Sequence, residues 1–458
     1  MGEVLHNELI AMRRFFETGE TRSLSWRQTQ LKIMYRALEE YEEKIAAALF
    51  ADFRKPLTES YVTETGMLKA EISFTLKNLR KWIRPEKPGT NFLNFPSKSR
   101  IYKEPLGVVL VIGPWNYPFM LTLLPMINAI GAGNCVVLKP SEAAPASSAL
   151  MAEMIGKYFS PAYIKVVEGD GEKTVGELMN FRFDHVFFTG GSNIGKKIYE
   201  MAARQLMPVT LELGGKSPVV VAQDADIPVT AKRICAPKFS NAGQMCVAPD
   251  YVLAHESVAQ RLLEEMKKCI RSFYGEEPFQ SPDYARIINE RQFSRLCSYL
   301  SEGRIFCGGK INAEELYIEP TIMVDIAPNT RIMEEEIFGP ILPVLTYTSE
   351  EELFQNLSRH PSPLALYVFT NNTGYAEKLM KAFPFGGGCI NNVAYHLMNP
   401  RLPFGGIGNS GIGAYHGLHG FHTFTHRKAV MQTPVWFDPS LKYPPFGNRL
   451  KWLRKFLK

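Results

Sequence analysis

Apolar positions recur every three or four residues through the opening region, at Leu31, Met34 and Leu38 and again at Ile45, Ala48 and Leu49. That spacing places them on one face of a helix. The pattern predicts a helical start that Pro85 and Pro88 bring to an end, since proline cannot continue a helix. From Leu106 the period changes. Short β-rich runs at 108–112, 135–138, 165–167, 185–188 and 219–221 alternate with helical stretches, the signature of a parallel sheet wrapped by helices. Ligands of such sheets bind where strand ends open into glycine-rich turns. Two turns qualify, Gly-Pro-Trp-Asn-Tyr-Pro at 113–118 and Thr-Gly-Gly-Ser-Asn-Ile-Gly at 189–195. A second α/β portion follows, with strands expected near 251–254, 365–369 and 388–392 and helices near 257–273 and 290–302. The reading is therefore α/β, divided into a dinucleotide-type domain at 1–213, a second α/β domain at 214–400 and a closing segment at 401–458. No repeat or low-complexity linker separates these units, so close packing is expected.

One stretch imitates a membrane span: no charged residue occurs from Pro105 to Leu138. Pro114, Pro118 and Pro125, with Gly113 and Asn116, cut it into a strand, a turn and a shorter apolar segment, which reads as buried core. At the other end, Leu450, Leu453 and Leu457 with Trp452 and Phe456 alternate with Lys451, Arg454, Lys455 and Lys458. This predicts a basic amphipathic helix too short to cross a bilayer. It would lie on an anionic lipid surface or, more simply, cover a partner subunit or end in solvent.

A hydrophobic share of 45% over 458 residues allows about three domains with real cores. The balance of 52 basic and 46 acidic side chains, a net +6, is too mild for dedicated nucleic-acid binding. Seven scattered cysteines with no Cys-x-x-Cys pair exclude a disulfide framework and a zinc site, and fit a reducing compartment. Glu3 and the lack of an apolar run behind it argue against an export signal, and His6 against myristoylation. A cytoplasmic location is expected.

The literal dinucleotide fingerprint Gly406-x-Gly408-x-x-Gly411 lacks a preceding strand and a following helix with an acidic residue, and is set aside. The 189–195 turn has the right context, although glycine serves tight turns for steric reasons too. Cys246 lies in a small, turn-prone segment, Asn241-Ala242-Gly243-Gln244-Met245-Cys246; an arbitrary cysteine is usually inert and buried. Glu212 stands between apolar neighbours at a strand-to-glycine transition, where burial would make it a base. Asn116, between Trp115 and Tyr117, is a neutral donor suited to an oxyanion. Thiol, amide, carboxylate and dinucleotide turn together describe carbonyl oxidation through a thioester.

The chain resembles the aldehyde dehydrogenase family, most of all its class 3 branch for fatty and aromatic aldehydes. The resemblance rests on PWNYP, LKPSE, FTGGSNIG, LELGGKSP, GQMCVAPDY, EEEIFGP, NNVAYH and PFGGIGNSGIGAYHG, which occur in family order over most of the chain. It implies an aldehyde-dehydrogenase-like fold with a Rossmann-type cofactor domain, a catalytic domain and a small β arm that pairs subunits into a homodimer. The arm is expected from a hairpin near 92–105 and β-like segments at 100–103 and 420–430. By the same likeness Cys246 is the nucleophile, Asn116 and the Cys246 N–H hold the oxyanion, and Glu212 activates the deacylating water. Glu336 would hold the nicotinamide ribose, with a role as base left open, and Phe338 would pack beside the ring. Lys139 and Glu142 would meet the adenosine ribose, and Gly190, Gly191 and Gly195 the pyrophosphate turn. NAD is the expected cofactor, with NADP as the alternative, and no metal is expected. Tyr117, Met245 and Phe404 would line the aldehyde pocket, which Met245 makes more apolar than usual. Gly191 and Ser192 replace the Ser and Thr common in the family, so no side-chain contact is assigned at that turn. His416 is read as structural. The rival readings are an acylating enzyme that uses coenzyme A, which would not need Glu212, a thiol esterase, and a membrane or scaffold protein using the basic end alone.

Overall fold

The computed structural model describes residues 2–451 and 454. Helices Gly2–Glu17, Leu24–Glu40, Glu42–Phe53 and Gly66–Trp82 carry the opening region, and Leu31, Met34, Leu38, Ile45 and Leu49 are all fully buried. Two sheets follow. The first runs in the order Ile164–Val166, Cys135–Lys139, Val108–Ile112, His185–Thr189, Val209–Glu212, Gly411–Ile412. Counted along the chain this is 3-2-1-4-5-6, parallel but for its last strand, the order that opens a binding crevice between its first and fourth strands. The turns at 113–118 and 189–195 leave these two strands. The second sheet runs Gly387–Ile390, Ala365–Phe369, Pro218–Val221, Tyr251–His255, Ile341–Tyr347, Thr321–Val324, Arg304–Cys307. Only Arg304–Cys307 is antiparallel in it.

The charge-free stretch is core. Strand Val108–Ile112 and helix Met120–Ala132 are buried at every residue, and among the described residues no helix is long and apolar enough to cross a membrane.

Some expectations need correction. The arm is not a hairpin near 92–105: residues 92–94 form a 3₁₀ turn, and Lys98–Pro105 pairs antiparallel with the distant Thr425–Gln432. The segment 420–430 is half helix, Gly417–Thr423, before that strand begins. Long-range pairing of this kind leaves no local turn signal to read. The strand expected at 388–392 stops at Ile390 because Asn391 turns into left-handed backbone at φ 55°. The helix expected from 290 to 302 ends at Tyr299. Of the predicted amphipathic helix at 450–458, residues 452, 453 and 455–458 lie outside the described residues.

Candidate active site

Cys246 lies on a loop beyond helix Ile227–Phe239. Asn241, Ala242 and Gly243 bend there with φ of 53, 50 and 74°, a left-handed run that Asn and Ala adopt only when neighbours hold them. Buried Gln244 does so: its Nε2 donates to the carbonyls of Asn241 and Arg286, and its Oε1 accepts the Ile288 N–H, each at 3.0 Å. Past the cysteine, the Tyr367 hydroxyl donates to the Val247 carbonyl at 2.7 Å. A Cβ on Gly243 would lie 2.2 Å from the Gly339 carbonyl oxygen, so the cysteine loop rests on the segment that carries Glu336 and Phe338.

Cys246 stands between two cavities. One, of about 280 Å³, is lined by Tyr117, Met120, Met245, Leu397, Phe404 and neighbours, almost all apolar. The other, a crevice of about 540 Å³, is lined by Asn116, Glu142, Gly191, Glu212, Arg291 and Glu336 among others. Leu121, Cys246 and Phe404 border both.

The electrostatics follow from this burial. Desolvation pushes the Cys246 thiol up to about 12, the carboxylates of Glu336 and Glu212 add to the rise, and the N–H groups of Cys246 and Val247 oppose it. Glu212 ends strand Val209–Glu212 with neither carboxylate oxygen hydrogen-bonded, and burial holds its carboxyl well above the usual range. Burial, aided by Asp250, pushes Glu336 up to about 8 against the pull of the Gly215 N–H, Lys216 and Arg295. Buried Lys216 is ion-paired with Asp250 and donates to the carbonyls of Ile332 and Glu335 at 2.7 and 2.8 Å. Asp250 accepts the Ile337 N–H at 2.9 Å, and Arg295 donates to the carbonyls of Glu336 and Ile337 at 3.1 and 2.7 Å. A Cβ on Gly214 would lie 1.9 Å from the Glu336 carboxylate. Asn116 spends one Nδ2 hydrogen on the Gln244 carbonyl, at 3.1 Å, which leaves the second for a ligand.

A dinucleotide suits the crevice. Helix Ser192–Ala203 begins at Gly191 with no side-chain cap, and a Cβ on Gly191 would meet nothing within 4 Å; the Ile194 N–H already donates to the Gly191 carbonyl at 3.1 Å, which leaves the N–H groups of Ser192 and Asn193 for an anion. Gly190 and Gly195 have no such room, since a Cβ on either would lie 2.6 Å from Phe188 or Leu213 respectively. Lys139, itself 2% exposed, donates to the half-exposed Glu142 at 3.0 Å. Phe338, at φ 51°, meets Trp115 edge-on at 5.3 Å.

The structure thus gathers Cys246, Glu212, Asn116, Glu142, Gly190, Gly191, Glu336 and Phe338 around the crevice, and Tyr117, Met245 and Phe404 around the apolar cavity. Lys139 and Gly195 stand behind the crevice wall, the first holding Glu142 and the second letting its helix pack on Leu213. Sequence reading missed Gln244, Tyr367, the Lys216–Asp250 pair, and Arg291, Gln292 and Arg295 on the far wall. Gln244, Lys216 and Asp250 occur inside motifs already quoted, where a role was inferable; the helix bearing the arginines offers only an ordinary amphipathic pattern. His416 sits 3% exposed with its ring 5.2 Å from that of Phe404, and burial pulls it down to about 3, so it is neutral.

Residues 6–430 match the model of the aldehyde dehydrogenase family. The chain is 43% identical over 457 residues to the 4,4'-diaponeurosporen-aldehyde dehydrogenase of Staphylococcus aureus, covering 99% of each. It is 43% identical over 435 residues to the dimeric NADP-preferring aldehyde dehydrogenase of Rattus norvegicus, covering 94% of this chain and 96% of that one. Among solved structures it matches a substrate-bound state of Staphylococcus aureus AldH with TM-score 0.97, 43% identity and 99% of each chain covered. An indole-3-acetaldehyde dehydrogenase complexed with NAD+ matches with TM-score 0.85 and 29% identity, over 93% of this chain and 88% of that one. The chain belongs to the aldehyde dehydrogenase family, and its activity is the NAD(P)+-dependent oxidation of aldehydes to carboxylic acids.

Proposed function

We propose that Cys246 carries this oxidation as its nucleophile. One observation supports the assignment above the others: of the three residues that border both cavities, only Cys246 bears a nucleophilic atom. An aldehyde enters along the apolar cavity, and Sγ adds to its carbonyl carbon to give a thiohemiacetal. Glu336 and Glu212, whose charges the thiol senses, are the acceptors at hand for its proton. The free Nδ2 hydrogen of Asn116 and the Cys246 N–H hold the oxyanion. NAD(P)+, when bound, supplies the hydride acceptor that leaves a thioester on Cys246. Glu212 then takes a proton from water, which cleaves the thioester and releases the acid. Its unpartnered oxygens and raised basicity suit this step, and they weigh against a coenzyme A acceptor.

The apolar lining favours medium- or long-chain aliphatic, or aromatic, aldehydes. Phosphates are assigned to the open helix start at Gly191, ribose hydroxyls to Glu142 beside Lys139 and to Glu336, and the nicotinamide side to Phe338. Glu142 favours NAD over NADP by accepting from a free 2′-hydroxyl. The proposed domains are 1–213, 214–400 and a bridging segment at 401–458. The ribbon of Lys98–Pro105 and Thr425–Gln432 is too small to stand alone and leaves open edges, which supports a homodimer built on it. A cytoplasmic enzyme, with contact between the basic tail and anionic lipid as an alternative to a tail that covers a partner subunit or ends in solvent, completes the reading. Aldehydes of graded length, each tested with NAD and with NADP in the presence and absence of coenzyme A, decide it. Acid and NADH without coenzyme A support the scheme, whereas a strict coenzyme A requirement, or ester cleavage without nucleotide reduction, defeats it.

A further inference from the structure

Behind the active site lies a buried charge cluster that the reaction scheme does not use. Lys55 and Glu64 are both 0% exposed and form an ion pair at 2.9 Å. Glu64 accepts the Met120 N–H at 2.7 Å through its other oxygen, and Met120 opens the helix that follows the Asn116–Tyr117 turn. The Lys55 ammonium lies 3.9 Å from the centre of the Tyr117 ring, a cation–π distance. One turn earlier, Glu59 lies beside the Asn241 N–H and the Ser240 hydroxyl, at the root of the cysteine loop, with its Oε1 buried and unpartnered. Glu64 belongs to a five-residue π-turn, Tyr61–Thr65, set between helices Leu57–Ser60 and Gly66–Trp82. Such turns are rare and cluster at functional sites because they re-aim side chains.

A buried ion pair is a weak device for stability, since apolar residues of the same volume serve as well or better. This one contacts the Asn116–Tyr117 side directly, through the Met120 N–H and the Tyr117 ring, and reaches the root of the cysteine loop through the charge of neighbouring Glu59. We propose that Lys55 and Glu64 are positioning residues that clamp the Asn116–Tyr117 turn against the Cys246 loop, so that the oxyanion donor and the sulfur keep their spacing. The proposal rests on the roles given above to Cys246 and Asn116.

The test uses the full-length enzyme and two double variants, with melting curves, NAD affinity and the first-turnover rate of NADH formation as readouts. In K55M/E64M both charges are gone and the volume is kept, so the fold and NAD affinity are retained, while the first turnover slows by roughly tenfold or more. In K55M/E64Q the amide oxygen again accepts the Met120 N–H without needing a cation, and the rate returns to within about threefold of the parent. A folded K55M/E64M at the parental rate overturns the proposal, and so does a K55M/E64Q no faster than it. Should K55M/E64M not fold, K55M/E64Q is judged alone against the threefold bound. Cys246→Ser is run beside them: if it stays active the nucleophile assignment itself falls, whereas an inactive Cys246→Ser with an unaffected K55M/E64M removes only the clamp.

Discussion

The two cavities that meet at Cys246 are built on different principles. On the crevice side the oxyanion donor and the Glu336 segment are fixed by named partners, Asn116 by the Gln244 carbonyl, the Glu336 backbone by Arg295 and, through Ile337, by Asp250, while Glu212 is placed by its strand alone. On the other side the wall is soft, with Met67, Met120, Met245 and Met398 among its lining residues, and methionine adapts to irregular shapes. Chemistry that depends on sub-ångström placement sits where hydrogen bonds fix geometry. Substrate fit, which rests on non-directional burial, sits where the wall can yield. Damage to the crevice should therefore abolish or stall turnover for every aldehyde, and damage to the apolar cavity should re-rank aldehydes against each other.

The largest effect is expected from Cys246→Ser: oxidation falls by about four orders of magnitude or more, while NAD still binds, as fluorescence titration would show. Next comes Glu212→Gln. Turnover should stall after one equivalent of NADH, with steady-state kcat down roughly 10²–10⁴-fold, and an acyl-enzyme should accumulate in the mass spectrum. A variant that turns over at the parental rate with no adduct removes Glu212 from deacylation. Asn116→Ala, which deletes one oxyanion donor, should cost about 10²–10³ in kcat with little change in the KM for NAD. If all three variants instead changed only the ranking of aldehydes, the contrast between the two sides would be wrong.

How much of this was readable beforehand follows the same division. The strands at 108–112 and 185–188 announced themselves as continuous apolar runs ended by glycine, because a parallel sheet buried on both faces must be written that way. Asn116 and Gly190 follow those strand ends and Glu212 closes the neighbouring strand Val209–Glu212 before a glycine pair, so all three were legible from local pattern. The arm was legible only in part: β-like segments were expected at 100–103 and 420–430, but their pairing was not, because Lys98–Pro105 finds its partner more than three hundred residues later. Lys55 and Glu64 were equally silent. Their meaning depends on a π-turn and on a Met120 N–H brought close only by folding.

Proton chemistry offers a gentler probe of the crevice. With the thiol held near 12, alkylation of Cys246 by iodoacetamide in the nucleotide-free enzyme should be slow at neutral pH and rise about tenfold per pH unit as thiolate forms. Glu336→Gln should accelerate it, because an ionised Glu336 is among the groups that raise the thiol. The carboxyl of Glu336 itself lies at about 8, so the two enzymes should alkylate alike below that pH and diverge above it. Divergence in the acid range, or a faster parent, would contradict the stated cause.

The smallest effects belong to the apolar cavity. Each added methylene buried along it is worth about 0.8 kcal/mol, so kcat/KM should climb roughly fourfold per carbon while the chain lengthens inside and flatten once it emerges. Met398 borders the cavity at 46% exposure, which places it near the mouth. Met398→Ala should leave the shortest aldehydes untouched and lower kcat/KM only for those long enough to reach it, by about twofold to fourfold for a contact that is half in water already. A uniform loss at every length would mean that Met398 acts on the protein and not on the chain, and the aldehyde would then have to reach Cys246 from somewhere other than this cavity.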